Sequence, residues 1–487
     1  MHTIGIRARR WMRAAIATGA LASAGSFAAC KDFLTAENPA AIPVERLEDT
    51  ALVELMHNAA IGALQGHSGP FSNTYFWLTY LSAIFTDELR NHHVFFEEGL
   101  YDQRRVTVEN SYNSTFTYSP LQRGRWLTDS IAGRMRAIYG DSALRDVRLA
   151  RTYAMAGYTL IMLGEMWCEV PLSTADERYS RPYNSLELFA FAEARFDSAL
   201  KVAAAARAAN AAAGPAANRF VLAADSIRNL ALVGMARAAL NRGDNAKAIA
   251  HAQQVTGMGT SGDFEYRLHY NSNTTLGVAN LYQERLSGGS GEKVGSITGT
   301  PFFNLDDARV PHPRDAADQP VTEAMQNGLQ AVVPNSPPSH STFNGTKIGA
   351  DFSYGGSIRL ASRLEAQYIL AEAGGATGTN LGSQANIAFV ESRRTAFPST
   401  TAATPTDPTN YDANLRNQRR RDFYLDGHRM GDLRRYLRRY NVDDWQKGSF
   451  YGSTTISFNN QMCWPLTVAE ITNNPLVPKP YTPPNGP

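Results

Sequence analysis

Apolar positions recur at three- and four-residue spacing along much of the chain, as they do in helices that bury one face. Leu47, Ala51, Leu55, Asn58 and Ala59 predict a helix from near Val44 past His57, and the aromatic-rich stretch Asn73 to Leu89 predicts a second. Further helices are expected at Gly124 to Tyr139 and at Asp146 to Gly164, where Leu149, Tyr153, Ala156, Leu160 and Leu163 share a face. Ser185 reads as the N-cap of a helix running to about Val202. Alanine-rich 203–218, broken by Gly214 and Pro215, reads as a loop.

A repeat signal follows. Leu232, Met235, Ala236 and Ala239, the turn Asn241-Arg242-Gly243-Asp244, then Ala248, Ala252 and Val255 have the small-and-large spacing of a tetratricopeptide repeat, whose two helices meet at alanine-sized positions. Asp146 to Gly164 with Ser185 to Val202, and Leu360 to Ala373 with Gln384 to Arg394, are weaker copies. Three or four such pairs are enough to bury a continuous core. Two stretches break the pattern. Residues 90–119 mix aromatic and polar types and read as a long exposed loop, while 257–357 are rich in Gly, Ser, Thr, Asn and Pro and too long for an ordinary connection. The expected fold is therefore mainly α, a tetratricopeptide-like superhelix of helix pairs with a large, irregular, loop-rich insertion forming the ligand face.

The N-terminus says where such a chain is sent. Arg7, Arg9, Arg10 and Arg13 precede an apolar run, Ala14 to Ala24, too short to span a bilayer and suited to a secretory signal. Small residues before Cys30 resemble a bacterial lipobox, with Phe27 in place of the commoner Leu, so Cys30 is the expected lipidation site. Removing residues 1–29 takes away four arginines and no acid, so the formal charge moves from +2 to 2 − 4 = −2. A nearly neutral chain argues against nucleic-acid binding. The remaining cysteines, Cys168 and Cys463, both beside Met and Trp, are expected to be structural thiols, although a single bridge is allowed. The resulting division is 1–29 signal peptide, 30–43 lipidated Cys and tether, 44–256 helical N-terminal region, 257–357 insertion subdomain, and 358–487 C-terminal helical pair with the closing signature.

Several blocks of sequence look alike to one family. Cys30-Lys31-Asp32-Phe33-Leu34 resembles its mature start, and Leu163-Gly164-Glu165-Met166-Trp167-Cys168-Glu169-Val170-Pro171-Leu172 its helix-to-Val-Pro-Leu turn. Arg363 to Ala373, ending Ala371-Glu372-Ala373, is similar to a further helix. Arg419-Arg420-Arg421 with Gly427-His428-Arg429 and Asp432-Leu433-Arg434-Arg435 is close to a Glu-Arg-Arg … Glu-Gly-His-Arg … Asp-Leu-Arg-Arg signature, and Trp464-Pro465-Leu466 to Asn474-Pro475 resembles the C-terminal ending. Arg419, Asp422 and Gly431 depart from the pattern. On these residues the chain resembles the SusD/RagB-like outer-membrane nutrient-binding lipoproteins. The resemblance implies four tetratricopeptide-like units, no cofactor, and non-enzymatic capture of oligosaccharides or similar nutrients at the cell surface. It also implies an outer-membrane lipid anchor and delivery to a TonB-dependent (SusC-like) channel.

Sugars lay their C–H faces on aromatic rings and satisfy their hydroxyls with amides, carboxylates and guanidinium groups. Trp77, Asn91, His92, Phe96, Tyr101 and Arg104 supply those types in one stretch, and Tyr266, Tyr270, Asn273, Tyr282, Phe302 and Phe343 in the insertion. Trp126 and Trp167, on helical faces, are assigned to the core. Arg419 to Arg439 carries eight arginines against three aspartates, and a structural network with Asp422, Asp426, Asp432 and His428 is favoured over anion binding. His92-His93 lacks metal-ligand spacing, so no metal is expected. The adjacent carboxylates Asp87-Glu88, Asp306-Asp307 and Asp443-Asp444 cannot face each other across a sugar, and no nucleotide-loop or nucleophile-elbow motif occurs. The alternatives are a tetratricopeptide scaffold lipoprotein in envelope assembly and, least favoured, a surface glycoside hydrolase.

Overall fold

A computed structural model describes residues 49–66, 73–91, 95–174, 176–258, 263–271, 281–282, 295–296, 300–302, 307, 309–310, 356–375, 383–397, 404–484 and 486. The signal segment, Cys30, the tether, and His92, His93, Asn273, Asp306 and Phe343 lie outside these residues. The chain divides into two units, 1–52 and 53–487, and the described part of the first ends in a 3-10 turn, Thr50–Leu52.

The second unit opens with α1 (Val53–Gln65) and α2 (Thr74–Phe85). α1 buries Val53, Met56, Ala60, Ile61 and Leu64, whereas Leu55 is exposed, so its inner face is not the one the spacing suggested. Every residue of α2 is buried, which a uniformly apolar helix requires. β1 (Arg90–Asn91) and α3 (Phe96–Asp102) follow, then a π-helical stretch (Tyr112–Tyr118) running into α4 (Ser119–Tyr139). The expected exposed loop at 90–119 is thus largely helical and half buried. Several of its aromatic residues pack inward, with Tyr101 and Tyr118 buried and Phe116 stacked on Trp77 of α2 at 4.7 Å, while Phe95 and Phe96 stay exposed.

α5 (Val147–Met166), capped by the Asp146 side chain, leads through β2 (Glu169–Pro171) and β3 (Pro182–Asn184) to α6 (Ser185–Ala212). The cap of α6 is Asn184, not Ser185, and Glu187 completes a reciprocal capping box with it. α6 also runs ten residues past Val202. Alanine propensity carries it through the stretch read as loop, with Val202, Ala203 and Ala206 buried, until Gly214 and Pro215 stop it. α7 (Asn218–Arg242) ends at Gly243 with φ +91°, the left-handed conformation for which the repeat turn needs glycine. α8 (Asn245–Ala252) completes the pair.

β4 (Glu265–Leu268) pairs antiparallel with β6 (Ile358–Ser362), with a bulge between Tyr266 and Arg267, so the two ends of the insertion lie side by side. β5 (Gly295–Ser296), from inside the insertion, pairs with β1. α9 (Arg363–Gly375), α10 (Gln384–Ala396), α11 (Tyr411–Asp422), α12 (Arg429–Tyr440) and α13 (Val468–Asn473) close the order.

α4 packs on α5, α5 on α6, α6 on α7, α7 on α8, and α8 on α9. The close crossings use small residues. Cβ atoms added at Gly157 and Gly234 would stand 2.6 and 2.2 Å from the Phe196 ring. Gly431 likewise abuts Glu165, where a Cβ would come within 2.6 Å of the carboxyl carbon, which accounts for glycine at that departure from the family pattern.

Cys168 and Cys463 form a disulfide, correcting the expectation of free structural thiols. Trp464 hydrogen-bonds beside it to the backbone of Met166 and Cys168, and its ring meets Trp167 edge-on at 4.9 Å. Sequence spacing could not show that residues so far apart are neighbours. Trp167 is buried as assigned, but Trp126 is 41% exposed on the outer face of α4. No helix among the described residues is long and apolar enough to cross a membrane.

Candidate functional site

The arginine-rich block lies inside. Arg419 donates to Asp432 at 2.7 Å, and Arg435 bridges Glu372 and Asp432 at 2.7 and 2.8 Å, all buried. Asp422 and Asp426 reach outside the block, to Arg393 (2.6 Å) and Arg359 (2.7 Å). His428 lies 3.3 Å from buried Glu365, and burial followed by the Arg237 charge lowers its pKa. With Arg237 of α7 on Glu165 of α5 at 2.6 Å, paired buried charges of this kind tie α5 to α7, and α9 and α11 to α12, and a lost partner would strand a charge at high cost.

Adjacent carboxylates are similarly occupied. Asp87 takes two bonds of 2.7 Å from Arg429, Glu88 accepts from the Leu425 amide, and Asp307 is shared by Arg309 and Arg421. Asp443 pairs with Lys447 and Asp444 with Arg416. None of these is an acid facing a second acid across an open cleft.

The structure divides the predicted ligand contacts. Trp77, Tyr101 and Tyr282 are almost fully buried. Tyr101 meets Trp464 edge-on at 5.2 Å, and the Tyr282 hydroxyl bonds to Thr79 at 2.8 Å and the Leu425 carbonyl at 3.0 Å. Tyr266 and Tyr270 are buried as well, the former accepting from Arg151 at 2.7 Å, and Phe302 packs against Tyr424. Arg104 is buried over Trp445, donates to the Gln446 carbonyl, and is pushed down to about 10 by burial. These rings and this guanidinium are packed into the core and present no open face to a solute.

Asn91 and Phe96 are placed differently. Phe96 is 77% exposed at the start of α3, beside Phe95 at 39%. Asn91 sits in β1, bonded to the insertion strand β5, and its backbone N–H donates to Asp102 Oδ2 at 2.9 Å. The other Asp102 oxygen accepts from the Tyr451 hydroxyl at 3.1 Å, and Arg90 lies 4.3 Å above the Tyr451 ring. Phe450 and Phe458 meet that ring edge-on at 4.7 and 5.2 Å. Tyr451 is held at φ +45°, rare for a non-glycine residue, in a turn closed by Phe450 and Phe458 amide bonds to the Ile456 and Gly448 carbonyls. Burial raises the Asp102 carboxyl to about 8, against the opposing Asn91 amide, Tyr451 hydroxyl and Arg90 charge. It is therefore mostly protonated at neutral pH.

The result is a half-buried aromatic and polar platform of Arg90, Asn91, Tyr451, Phe450 and Phe458, with Phe96 exposed on α3. It can stack an apolar ring face and offer hydrogen bonds, but it has no proton-transfer pair. Sequence reasoning missed the 448–458 turn because it falls between two recognisable blocks. Its available signal was Gly448 and Gly452 bracketing Ser449-Phe450-Tyr451.

A pocket of about 320 Å³ lies elsewhere, between Tyr118, Gln122, Arg178, Tyr179, Glu470 and Asn473. Its polar groups largely satisfy one another: Tyr118 donates to Glu470, and Gln122 donates to the Pro171 carbonyl.

No family model matches the chain, and no curated protein matches its sequence. Solved structures do. A SusD superfamily protein from Bacteroides fragilis aligns over 87% of this chain and 97% of its own at 14% identity, TM-score 0.59. A SusD superfamily protein from Bacteroides vulgatus ATCC 8482 aligns over 88% and 98% at 14% identity, TM-score 0.58. A SusD-like carbohydrate binding protein from the same organism covers 80% of this chain and 83% of its own at 14% identity, TM-score 0.56. With 80–88% of its length aligned to these structures, the protein has the mainly α fold of the SusD superfamily.

Proposed function

We propose that the protein is a non-enzymatic, cell-surface binder of oligosaccharides or related nutrients, tethered to the outer membrane through lipid on Cys30 and passing its ligand to a TonB-dependent channel. The observation that carries this reading is the SusD-superfamily framework, one of whose solved examples is a carbohydrate-binding protein. The aromatic and polar platform around Tyr451 supports it, since stacking rings beside amide and guanidinium donors suit a neutral sugar. The pairing of the described candidate carboxylates with arginine, lysine and backbone supports binding without hydrolysis. In this reading residues 257–357 form the ligand-facing subdomain, joined to the framework at β1–β5 and β4–β6. Phe96 and Asn91 are the predicted contacts best placed to touch a glycan, with Tyr451 added.

Glycan-array screening followed by calorimetry on the full-length chain tests the proposal. At least one glycan binds, and Phe96→Ala or Tyr451→Ala weakens that binding about 5- to 100-fold, on the order of 1–3 kcal/mol per lost ring contact, without releasing hydrolysis products. A screen that finds no glycan, or finds cleavage, overturns it. Cys30→Ser should move the protein out of the membrane fraction.

A further inference from the structure

A second opening, of about 360 Å³, lies against α11 and has a charge imbalance at its wall. Ala413, Arg416, Asn417 and Arg420 occur at the spacing of one helical stripe, and that stripe lines the pocket. Arg429 and Asp87 line it too, as does Asp444. Two of the three guanidinium groups are neutralised. Arg429 is held by Asp87 in a two-bond fork, and Arg416 donates to Asp444 at 2.9 Å. Among the described residues no carboxylate pairs with Arg420. Its Nε donates to the neutral Asn417 side chain at 3.1 Å, and its guanidinium stacks 5.1 Å from the centre of the Phe302 ring.

A planar cation, stacked on an aromatic ring and oriented by a single amide, leaves its remaining N–H donors for a planar anion in the bidentate geometry that arginine favours. Ala413 keeps the stripe narrow, and the volume is at the lower end for small-molecule pockets. We propose that this pocket binds the carboxylate of an acidic sugar, with Arg420 as its principal contact. Burial, reinforced by the neighbouring Arg429 charge, lowers the Arg420 pKa to about 10, as expected for a cation lacking its counter-charge. The choice of an acidic sugar rests on the glycan-binding reading; the carboxylate site itself rests on the charge count and on the stacking.

Calorimetry on the full-length chain with oligogalacturonate, its methyl-esterified form and inorganic sulfate tests the site. The expected result is binding of the free acid that weakens about 10- to 100-fold on esterification and equally in Arg420→Gln. Ala413→Leu, which fills the pocket without altering charge, should weaken it too, and unchanged thermal unfolding in both variants shows that the fold is intact. Equal affinity for acid and ester, or for wild type and both variants, overturns the site, as does sulfate binding as tightly as the uronate. If neutral glycans bind while the uronate gains nothing from its charge, only this inference fails. If no glycan of any kind binds, the functional reading fails with it.

Discussion

Asp102 is a buried carboxyl held by one amide and one hydroxyl, and its raised pKa has a consequence for stability. Its folded value of about 8 lies above its ordinary value of 3.8, so between those pH values the native state keeps a proton that the unfolded chain has lost. Its contribution is therefore complete below pH 4 and disappears as pH rises through 8. Asp102→Asn, which retains an acceptor oxygen without the charge, should leave stability near pH 4 unchanged and make the variant progressively more stable than the parent as pH rises, by up to roughly 5 kcal/mol at pH 9. Urea unfolding at a series of pH values measures this, and an unchanged pH slope would contradict the buried protonated state. At this scale the chain was only partly readable. Residue types suitable for sugars were visible, but burial was not, because Trp77, Tyr101 and Tyr282 have the same chemistry in a core as on a platform. Tyr451 depends on a backbone angle that no spacing rule reveals.

Elements were more legible, because helical periodicity follows from the packing itself. The cores of α4, α5 and α7 fall where apolar spacing put them; the errors were at ends and faces, as with α6 continuing through its alanine run and α1 turning Leu55 outward. Glycine inside these helices has a physical reason. In an exposed helix, Gly→Ala stabilises by up to about 1 kcal/mol, but Gly234 lies under the Phe196 ring at the α6–α7 crossing. Gly234→Ala should therefore destabilise by about 1–3 kcal/mol, because the ring has nowhere to retreat in a filled core. Phe196→Leu made in the same chain should recover part of that loss, and a double-mutant cycle from denaturant midpoints gives the coupling. Additive effects would mean that the crossing is looser than its glycines imply.

For the whole molecule, the hardest feature to foresee was closure. The Cys168–Cys463 bridge and the edge-to-face Trp167 and Trp464 join the end of α5 to a segment near the C-terminus, 295 residues away. Local pattern carries no information about a contact at that separation, so the cysteines read as two thiols. Replacing both by serine should cost about 2–5 kcal/mol, read as a lower thermal midpoint that reductant reproduces in the parent chain and leaves unchanged in the variant. The same closure has a timing side. At about 5–20 residues per second, synthesis reaches Cys463 roughly 15–60 s after Cys168. For that interval the Cys168 thiol lacks its partner and Trp167 lacks its cover, so any shielding of the nascent chain falls within it, while oxidation of the bridge can only follow the arrival of Cys463.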